Sequence, residues 1–178
     1  RSAPKEINAT IVKFLFQDNV HLIENWMRGK FSSEEVVKNI SQNTGLNYTL
    51  IWDIFVKDCK NMYVRPEILQ VVSKCNVNNN TILITDNMDC FNRFTNPQIQ
   101  FEKYFSYIFN SYDYGVLKDD VPTKCLFKKI IDLYDFDIKK SVLLDNSEKN
   151  CKIFSELGGT SFLVKNADDT LSTLKMLE

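Results

Sequence analysis

The sequence predicts an α/β fold in which a helical segment precedes a parallel β-sheet. Short apolar runs end abruptly in polar residues at Thr81–Thr85 and Ser141–Asp145, and the residues around them repeat their apolar positions at helical spacing. Short strands that alternate with helices are typical of a parallel sheet covered on both faces. Residues before about Val64 show helical spacing only. We therefore expect a helical part over residues 1–64 and an α/β core over residues 65–178.

The helical part carries clear start and stop signals. Ser32 followed three residues later by Glu35 forms a capping box, which predicts the first turn of a helix that stops at Gly45. Pro66 suits the first turn of a later helix. Apolar spacing predicts that Trp26 and Trp52 belong to the core of this part. The expected helices cover Ile7–Met27, the stretch from Ser33 to Gly45, Thr49–Lys60, and the residues that follow Pro66.

The remainder alternates between strands and helices. Pro122 is expected to open a helix, Gly158 to end the helix that contains Cys151, and Asn166 to cap the last helix. The expected strands are Thr81–Thr85, Tyr107–Asn110, Ser141–Asp145 and Thr160–Val164.

Composition excludes several classes of function. The 178 residues are 44% hydrophobic and 25% charged with a net charge of −1, so no general attraction to nucleic acid or to an anionic membrane is expected. There is no apolar run of membrane-spanning length and no secretory signal, which favours a cytoplasmic protein. The five cysteines are odd in number and lack C-x-x-C spacing, so we expect reduced and mostly buried thiols. The single histidine, His21, is expected at the surface rather than in catalysis.

Polar residues that follow the predicted strands indicate a ligand site, because ligands bind at the carboxyl ends of parallel strands. The Thr85 hydroxyl can bind a phosphoryl oxygen, and the Lys118 ammonium can neutralise developing negative charge. Asp145 can offer carboxylate oxygens to Mg²⁺. A nucleophile for phosphoryl transfer would have to be a further Asp near the same phosphorus atom.

These residues resemble the motifs of the haloacid dehalogenase (HAD) superfamily. Thr85-Asp86-Asn87 is similar to its second motif, Ser111–Lys118 to the stretch that leads into the lysine of its third, and Leu144–Asn150 to its acidic fourth motif. The helical part, especially Arg28–Glu35 and Val64–Glu67, resembles the small helical cap of the subgroup that contains phosphatases of the alpha-D-glucose-1-phosphate phosphatase type. The resemblance covers nearly the whole chain.

The resemblance implies a Rossmann-like HAD core with an inserted helical cap, and a Mg²⁺-dependent phosphatase of a small phosphorylated metabolite that works through an aspartyl-phosphate. Thr85 and Lys118 would be catalytic, and Asp86 and Asn87 would join them in binding substrate. Asp145 and Asn146 would hold Mg²⁺. Nucleic acid and membranes are not expected partners.

Two departures from the family pattern leave alternatives open. The first motif, which carries the nucleophile, is not found, and its nearest candidate, Phe14–Val20, has Gln17 where Asp is expected and fits a cap helix better. We therefore expect the first core strand and its nucleophile upstream of Arg1, or else supplied by a partner segment that fills the gap, so the chain alone would be inactive. Asn146 also replaces a second carboxylate. A metal-independent 2-haloacid dehalogenase-like enzyme and a non-catalytic binding protein remain alternatives.

Overall fold

The computed structural model describes residues 4–178, which pack into two compact units. The first unit contains the described residues up to Tyr63 together with Asp86–Gln100 and Asn110–Gly115. The second unit contains the three remaining segments, which are Val64–Thr85, Phe101–Phe109 and Val116–Glu178. Each unit is therefore assembled from separated stretches of the chain. The assignment of residues 1–64 to a cap and 65–178 to a core stays a prediction about domain organisation.

The chain contains ten α-helices and four β-strands within the described residues, with short π-helical and 3₁₀ segments between them. In order they are α1 (Lys5–Lys13), a π-helical segment (Phe14–Asp18), α2 (Val20–Met27), α3 (Ser33–Thr44), α4 (Tyr48–Lys60), α5 (Pro66–Asn78), β1 (Ile82–Thr85), a second π-helical segment (Phe91–Thr95), α6 (Asn96–Ile99), a 3₁₀ turn (Phe101–Lys103), β2 (Tyr107–Asn110), α7 (Ser111–Tyr114), α8 (Leu126–Tyr134), a 3₁₀ turn (Ile138–Lys140), β3 (Val142–Asp145), α9 (Glu148–Glu156), β4 (Thr160–Leu163) and α10 (Ala167–Leu177).

Local signals set the helix boundaries in the first unit. The Glu35 N–H donates to Ser32 Oγ over 3.3 Å, and the Ser32 N–H donates to Glu35 Oε2 over 2.7 Å, which confirms the capping box. Gly45 ends α3 in the left-handed conformation, as expected. The predicted single helix over Ile7–Met27 is wrong in detail. It is interrupted at Asn19, whose φ of −138° lies outside the helical region and whose side-chain amide donates to the Phe14 carbonyl.

The core of the first unit is apolar and helical. Trp26 is 4% exposed and lies at its centre, and Trp52 packs against it, which confirms both as core residues. Residues 14–18 form a π-helix and residues 20–27 an α-helix, so Phe14–Val20 is helical and is not a strand. The buried members of this core are Leu15, Leu22, Ile23, Trp26, Val36, Val37, Ile40 and Ile51.

The second unit contains parallel β-structure, which confirms the α/β class. Within the described residues β1 pairs with β2, and β3 pairs in parallel with β4 through the register Val142–Thr160 to Asp145–Leu163. Phe127 on α8 and Phe154 on α9 meet edge to face with ring centroids 5.3 Å apart. This buried aromatic contact lies beneath β3, because Leu143 packs against the same cluster.

One helix start in the second unit differs from expectation. Pro122 was expected to open a helix, but α8 begins only at Leu126. The Lys124 N–H donates to the Val121 carbonyl over 2.8 Å, which closes a turn instead. The Leu126 N–H donates to the Leu117 carbonyl over 2.9 Å, so a contact distant in sequence fixes where the helix starts. No helix between residues 4 and 178 combines the length and the apolar character needed to cross a membrane.

Candidate functional site

Asp145 is the last residue of β3, and it pairs with Lys118. Lys118 Nζ donates to Asp145 Oδ2 over 2.7 Å, and the two side chains are only 13% and 5% exposed. The Lys118 backbone is positioned by its neighbour Leu117, which is buried and whose N–H donates to Asp120 Oδ2. In α/β proteins ligands bind at the carboxyl ends of the strands, which is where this ion pair lies. The structure therefore brings two of the predicted site residues together.

The second oxygen of Asp145 is held by the start of α9. The Ser147 N–H donates to Asp145 Oδ1 over 2.9 Å, and Asn150 Nδ2 donates to the same oxygen over 3.1 Å. Ser147 also caps α9 by accepting a hydrogen bond from the Asn150 N–H. These bonds fix the rotamer of the carboxylate, so Asp145 presents a rigid negative group at the strand end.

Asn150 contributes a polar atom that the described residues leave unsatisfied. Its side chain is buried, and Asn150 Oδ1 accepts no hydrogen bond from any residue between 4 and 178. Buried amide oxygens are nearly always hydrogen-bonded, and an exception calls for a water, an ion or another donor. Sequence reasoning placed Asn150 in the fourth motif but gave it no role. The spacing of residues in the sequence could not have revealed this unsatisfied oxygen, because its burial depends on the fold.

The residues of the second motif are divided between the two units. Thr85 is the half-buried last residue of β1 in the second unit, whereas Asp86 and Asn87 begin a segment of the first unit. Asn87 makes two hydrogen bonds within the first unit: its N–H donates to the Ser111 side-chain Oγ over 3.0 Å, and its side-chain oxygen accepts from the Met88 N–H. Their predicted role in substrate binding stays a prediction.

The residues at the end of β3 offer oxygen ligands of the kind that Mg²⁺ prefers, but they carry only one negative charge. Asp145 supplies one carboxylate, and the neighbouring Asn146 is exposed and supplies a neutral amide oxygen. Both are acceptable Mg²⁺ ligands, yet Lys118 balances the single negative charge at 2.7 Å. No cluster of three or more His, Cys, Asp or Glu side chains suited to a metal occurs between residues 4 and 178. Asp145 and Asn146 together would therefore hold Mg²⁺ only weakly without further oxygen ligands.

A second polar cluster, which sequence reasoning missed, lies in the first unit around Asp89. Trp26 Nε1 donates to Asp89 Oδ1 over 2.8 Å, and Ser33 Oγ donates to the same oxygen over 2.7 Å. The Ser33 N–H and Arg93 Nη1 donate to Asp89 Oδ2 over 3.2 and 2.8 Å. Arg93 also binds Glu34 through both of its terminal nitrogens. Asp89 therefore connects α2, α3 and the segment that follows β1.

The electrostatics of Asp89 follow from these bonds. Burial by itself would raise the pKa of this carboxyl, but hydrogen bonds from Ser33, Trp26 and Arg93 outweigh it and lower the pKa below its usual range. The hydrogen bond to Arg93 lowers the pKa of Glu34 as well. Asp89 is thus a buried, charged group that accepts four hydrogen bonds, and these bonds link α2, α3 and the segment that follows β1.

Comparison with known proteins identifies the fold. No protein-family model and no curated protein matches the sequence. Among solved structures, the chain is similar to a protein described as a predicted HAD-like family hydrolase from Porphyromonas gingivalis, with a TM-score of 0.75 and 16% identity over 95% of this chain and 83% of that one.

A second similar structure is a HAD family enzyme from Bacteroides thetaiotaomicron, a mutant in complex with magnesium and inorganic phosphate. Its TM-score is 0.70 and its identity 19%, over 86% of this chain and 82% of that one. Identities this low carry information about architecture rather than about activity. This chain therefore has the α/β fold of the HAD-like hydrolases.

Proposed function

We propose that this chain belongs to a HAD-like hydrolase that removes phosphate from a small phosphorylated metabolite. The observation that carries the proposal is the buried Lys118–Asp145 ion pair at the end of β3, in a chain with this fold. The magnesium and phosphate bound by the Bacteroides thetaiotaomicron enzyme support the same class of substrate. Sugar phosphates are the first candidates, because the helical part resembles the caps of sugar-phosphate phosphatases.

In this proposal each residue has a defined task. Lys118 holds the phosphoryl group and balances its charge, with Asp145 keeping the ammonium in place. Thr85 donates its hydroxyl to a phosphoryl oxygen, and Asp86 and Asn87 contact the substrate. The aspartyl-phosphate route also needs a nucleophilic Asp, and the proposal gives that role to none of the residues named here. Bound at Asp145 and Asn146, Mg²⁺ would neutralise charge on the phosphoryl oxygens.

Phosphate release from a panel of phosphorylated metabolites tests the proposal with the whole protein. Lys118→Ala should lower kcat/KM by about a thousandfold, since it removes the cation that faces the phosphoryl group. Lys128→Ala is the matched control, because Lys128 pairs with Asp132 on the surface of α8 and should keep full activity. Equal turnover by the two variants would refute the role of Lys118.

A metal-independent dehalogenase is the second candidate, and the Asn146 position favours it. An amide where a second carboxylate would hold the metal weakens the case for Mg²⁺, and a lysine ammonium such as that of Lys118 can interact with the carboxylate of an organic acid as well as with a phosphate. Halide release from 2-haloacids that survives a chelator would select this reaction. Binding of phosphorylated ligands without turnover of either substrate class would select a non-catalytic role.

A further inference from the structure

The side chain of Asn150 lies one hydrogen bond away from the Lys118–Asp145 ion pair. Asn150 Nδ2 donates to Asp145 Oδ1 over 3.1 Å, and Lys118 Nζ donates to Asp145 Oδ2 over 2.7 Å. Asn150 therefore contacts one oxygen of the carboxylate, while Lys118 contacts the other. The Ser147 N–H is the second donor to Oδ1, so two bonds from the start of α9 hold the carboxylate in one orientation.

The helix itself does not need this side chain. Ser147 caps α9, because its Oγ accepts a hydrogen bond from the Asn150 backbone N–H over 3.3 Å. That bond would remain after a substitution of the Asn150 side chain. The neighbouring residues Cys151, Ile153 and Phe154 are buried and apolar. Position 150 belongs to the same buried part of the helix, where a leucine would be an ordinary residue.

Asparagine is unfavourable at this position in two respects. It has a low intrinsic propensity for helix interiors. Its side chain is only 6% exposed, and Oδ1 accepts no hydrogen bond from the part of the chain that the structure describes, residues 4–178. A buried acceptor without a donor destabilises the protein. Residues that conflict with stability in this way are expected where the side chain serves the site rather than the fold.

The orientation of the amide explains why the unsatisfied oxygen is kept. Turning the amide by half a rotation would bring its oxygen against Asp145 Oδ1, and two acceptors would then face each other. With Nδ2 directed at Asp145, the amide oxygen must point elsewhere. The bond to Asp145 and the unsatisfied oxygen therefore have the same cause, which is the need for a neutral donor beside the carboxylate.

We propose that Asn150 is a positioning residue for Lys118 in the phosphate release proposed for this chain, and this inference rests on that proposed function. Asn150 Nδ2 and the Ser147 N–H occupy Asp145 Oδ1, so the carboxylate cannot turn and Oδ2 stays directed at the lysine. The Lys118 ammonium is thereby aimed at the phosphoryl group. In this role Asn150 acts only through Asp145 and touches no reacting atom.

Asn150→Leu separates this role from a structural one. Leucine has nearly the shape of asparagine, but it has neither the donor nor the unsatisfied oxygen. The variant loses a hydrogen bond to Asp145 and also loses a buried acceptor without a donor, and these two effects on stability oppose each other. We expect its melting temperature to stay within about 4 °C of the wild type. Asn150→Ala is a second variant, which adds no volume and covers the case that leucine does not fit.

Turnover should fall although the fold is kept. For phosphate release by the whole protein, we expect both variants to lower kcat by about 10- to 100-fold, the range typical of groups that orient the residues of a site. KM should change by less than about threefold, because the lysine is still present to bind the substrate. Lys152→Ala is the matched control, since Lys152 is an exposed residue of the same helix that pairs with Glu156. It should keep the wild-type kcat.

A second measurement needs no turnover. Acetylation of lysines by sulfo-N-hydroxysuccinimide acetate, followed by peptide mass spectrometry, reports how firmly the Lys118 ammonium is held. Lys118 is largely buried and paired, so in the wild type it should react more slowly than the more exposed Lys128. In both Asn150 variants the ratio of the Lys118 rate to the Lys128 rate should rise by about threefold or more, because a carboxylate that can rotate holds the ammonium less firmly. Lys152→Ala should leave this ratio unchanged.

The two measurements distinguish failure of this inference from failure of the proposed function. If the wild type releases no phosphate, the proposed function fails, and the acetylation ratio alone decides whether Asn150 orients Lys118. An acetylation ratio equal to that of the wild type in both variants would overturn the inference, as would an unchanged kcat in an active enzyme. A melting temperature lowered by more than about 10 °C in both variants would assign Asn150 to stability instead.

Discussion

Replacing Asp89 by alanine should strongly destabilise the first unit. The change removes a carboxylate, 5% exposed, that accepts hydrogen bonds from Trp26, Ser33 and Arg93. Arg93 still pairs with Glu34 and stays partly exposed to solvent, so the loss of its bond to Asp89 costs little stability. The Trp26 and Ser33 donors lose a charged acceptor in the interior. A buried donor left without its acceptor costs about 1–3 kcal/mol, so the loss of the Trp26 and Ser33 bonds together should cost about 2–5 kcal/mol.

Urea unfolding measures this loss. Tryptophan fluorescence reports on the first unit, because Trp26 donates directly to Asp89, and far-UV circular dichroism reports on the whole chain. Disagreement between the two transitions would show that the units unfold separately, and the free energy would then be taken from the fluorescence transition. Asp113→Ala is the matched control, since Asp113 is exposed and accepts hydrogen bonds from the Asn92 amide in the same unit.

The control variant should lose less than about 1 kcal/mol, which is typical of an exposed polar pair. If Asp89→Ala were as stable as Asp113→Ala, the Asp89 cluster would have to be solvated or already rearranged. A double-mutant cycle with Ser33→Ala gives an independent check. The coupling energy between the two positions should reach about 1–3 kcal/mol, because they share a hydrogen bond of 2.7 Å.

Three further predictions concern pH, backbone conformation and metal binding. Because the pKa of Asp89 is lowered in the folded state, its contribution to the free energy of unfolding is complete above the usual carboxyl pKa and is lost as the pH falls through the pKa of the folded state. The stability advantage of wild type over Asp89→Ala in urea titrations should therefore shrink below about pH 4. Gly29→Ala should destabilise the protein more than Gly45→Ala by at least about 1 kcal/mol in thermal unfolding. Both glycines have φ above 70°, so the backbone strain is similar, but only at Gly29 would the added Cβ lie 2.5 Å from the Tyr112 carbonyl oxygen. Asn146→Asp should tighten Mg²⁺ binding by about tenfold or more in calorimetry, since it adds a carboxylate beside the end of β3, and unchanged affinity would remove this position from the metal site.

Elements with local signals were predictable from the sequence. The capping box at Ser32 and Glu35, the stop at Gly45, the start at Pro66 and the cap at Asn166 all occur as expected, because each depends on bonds within a few residues. The strand end at Asp145 was also predictable, since a short apolar run that stops at a polar residue indicates where a strand ends. These signals fixed the fold class.

Features that depend on contacts distant in sequence were not predictable. The start of α8 is displaced from Pro122 to Leu126 because Leu126 bonds to Leu117. The pairing of Lys118 with Asp145 was expected as proximity at a strand end, but its burial and the hydrogen bonds from α9 were not. Asp89 was missed entirely, because its Ser33 and Trp26 donors lie 56 and 63 residues away along the chain.

The first unit is built from separated segments of the chain, and this has a consequence for synthesis on the ribosome. The helices before Tyr63 emerge first, but the carboxylate that accepts hydrogen bonds from Trp26 and Ser33 is made only at position 89, and Tyr112, which packs against their core, later still. The nascent helices must therefore wait, with apolar surface exposed, until the chain to about residue 115 has left the exit tunnel. A fragment that ends at residue 64 should accordingly bind chaperones and aggregate, however regular its helices are.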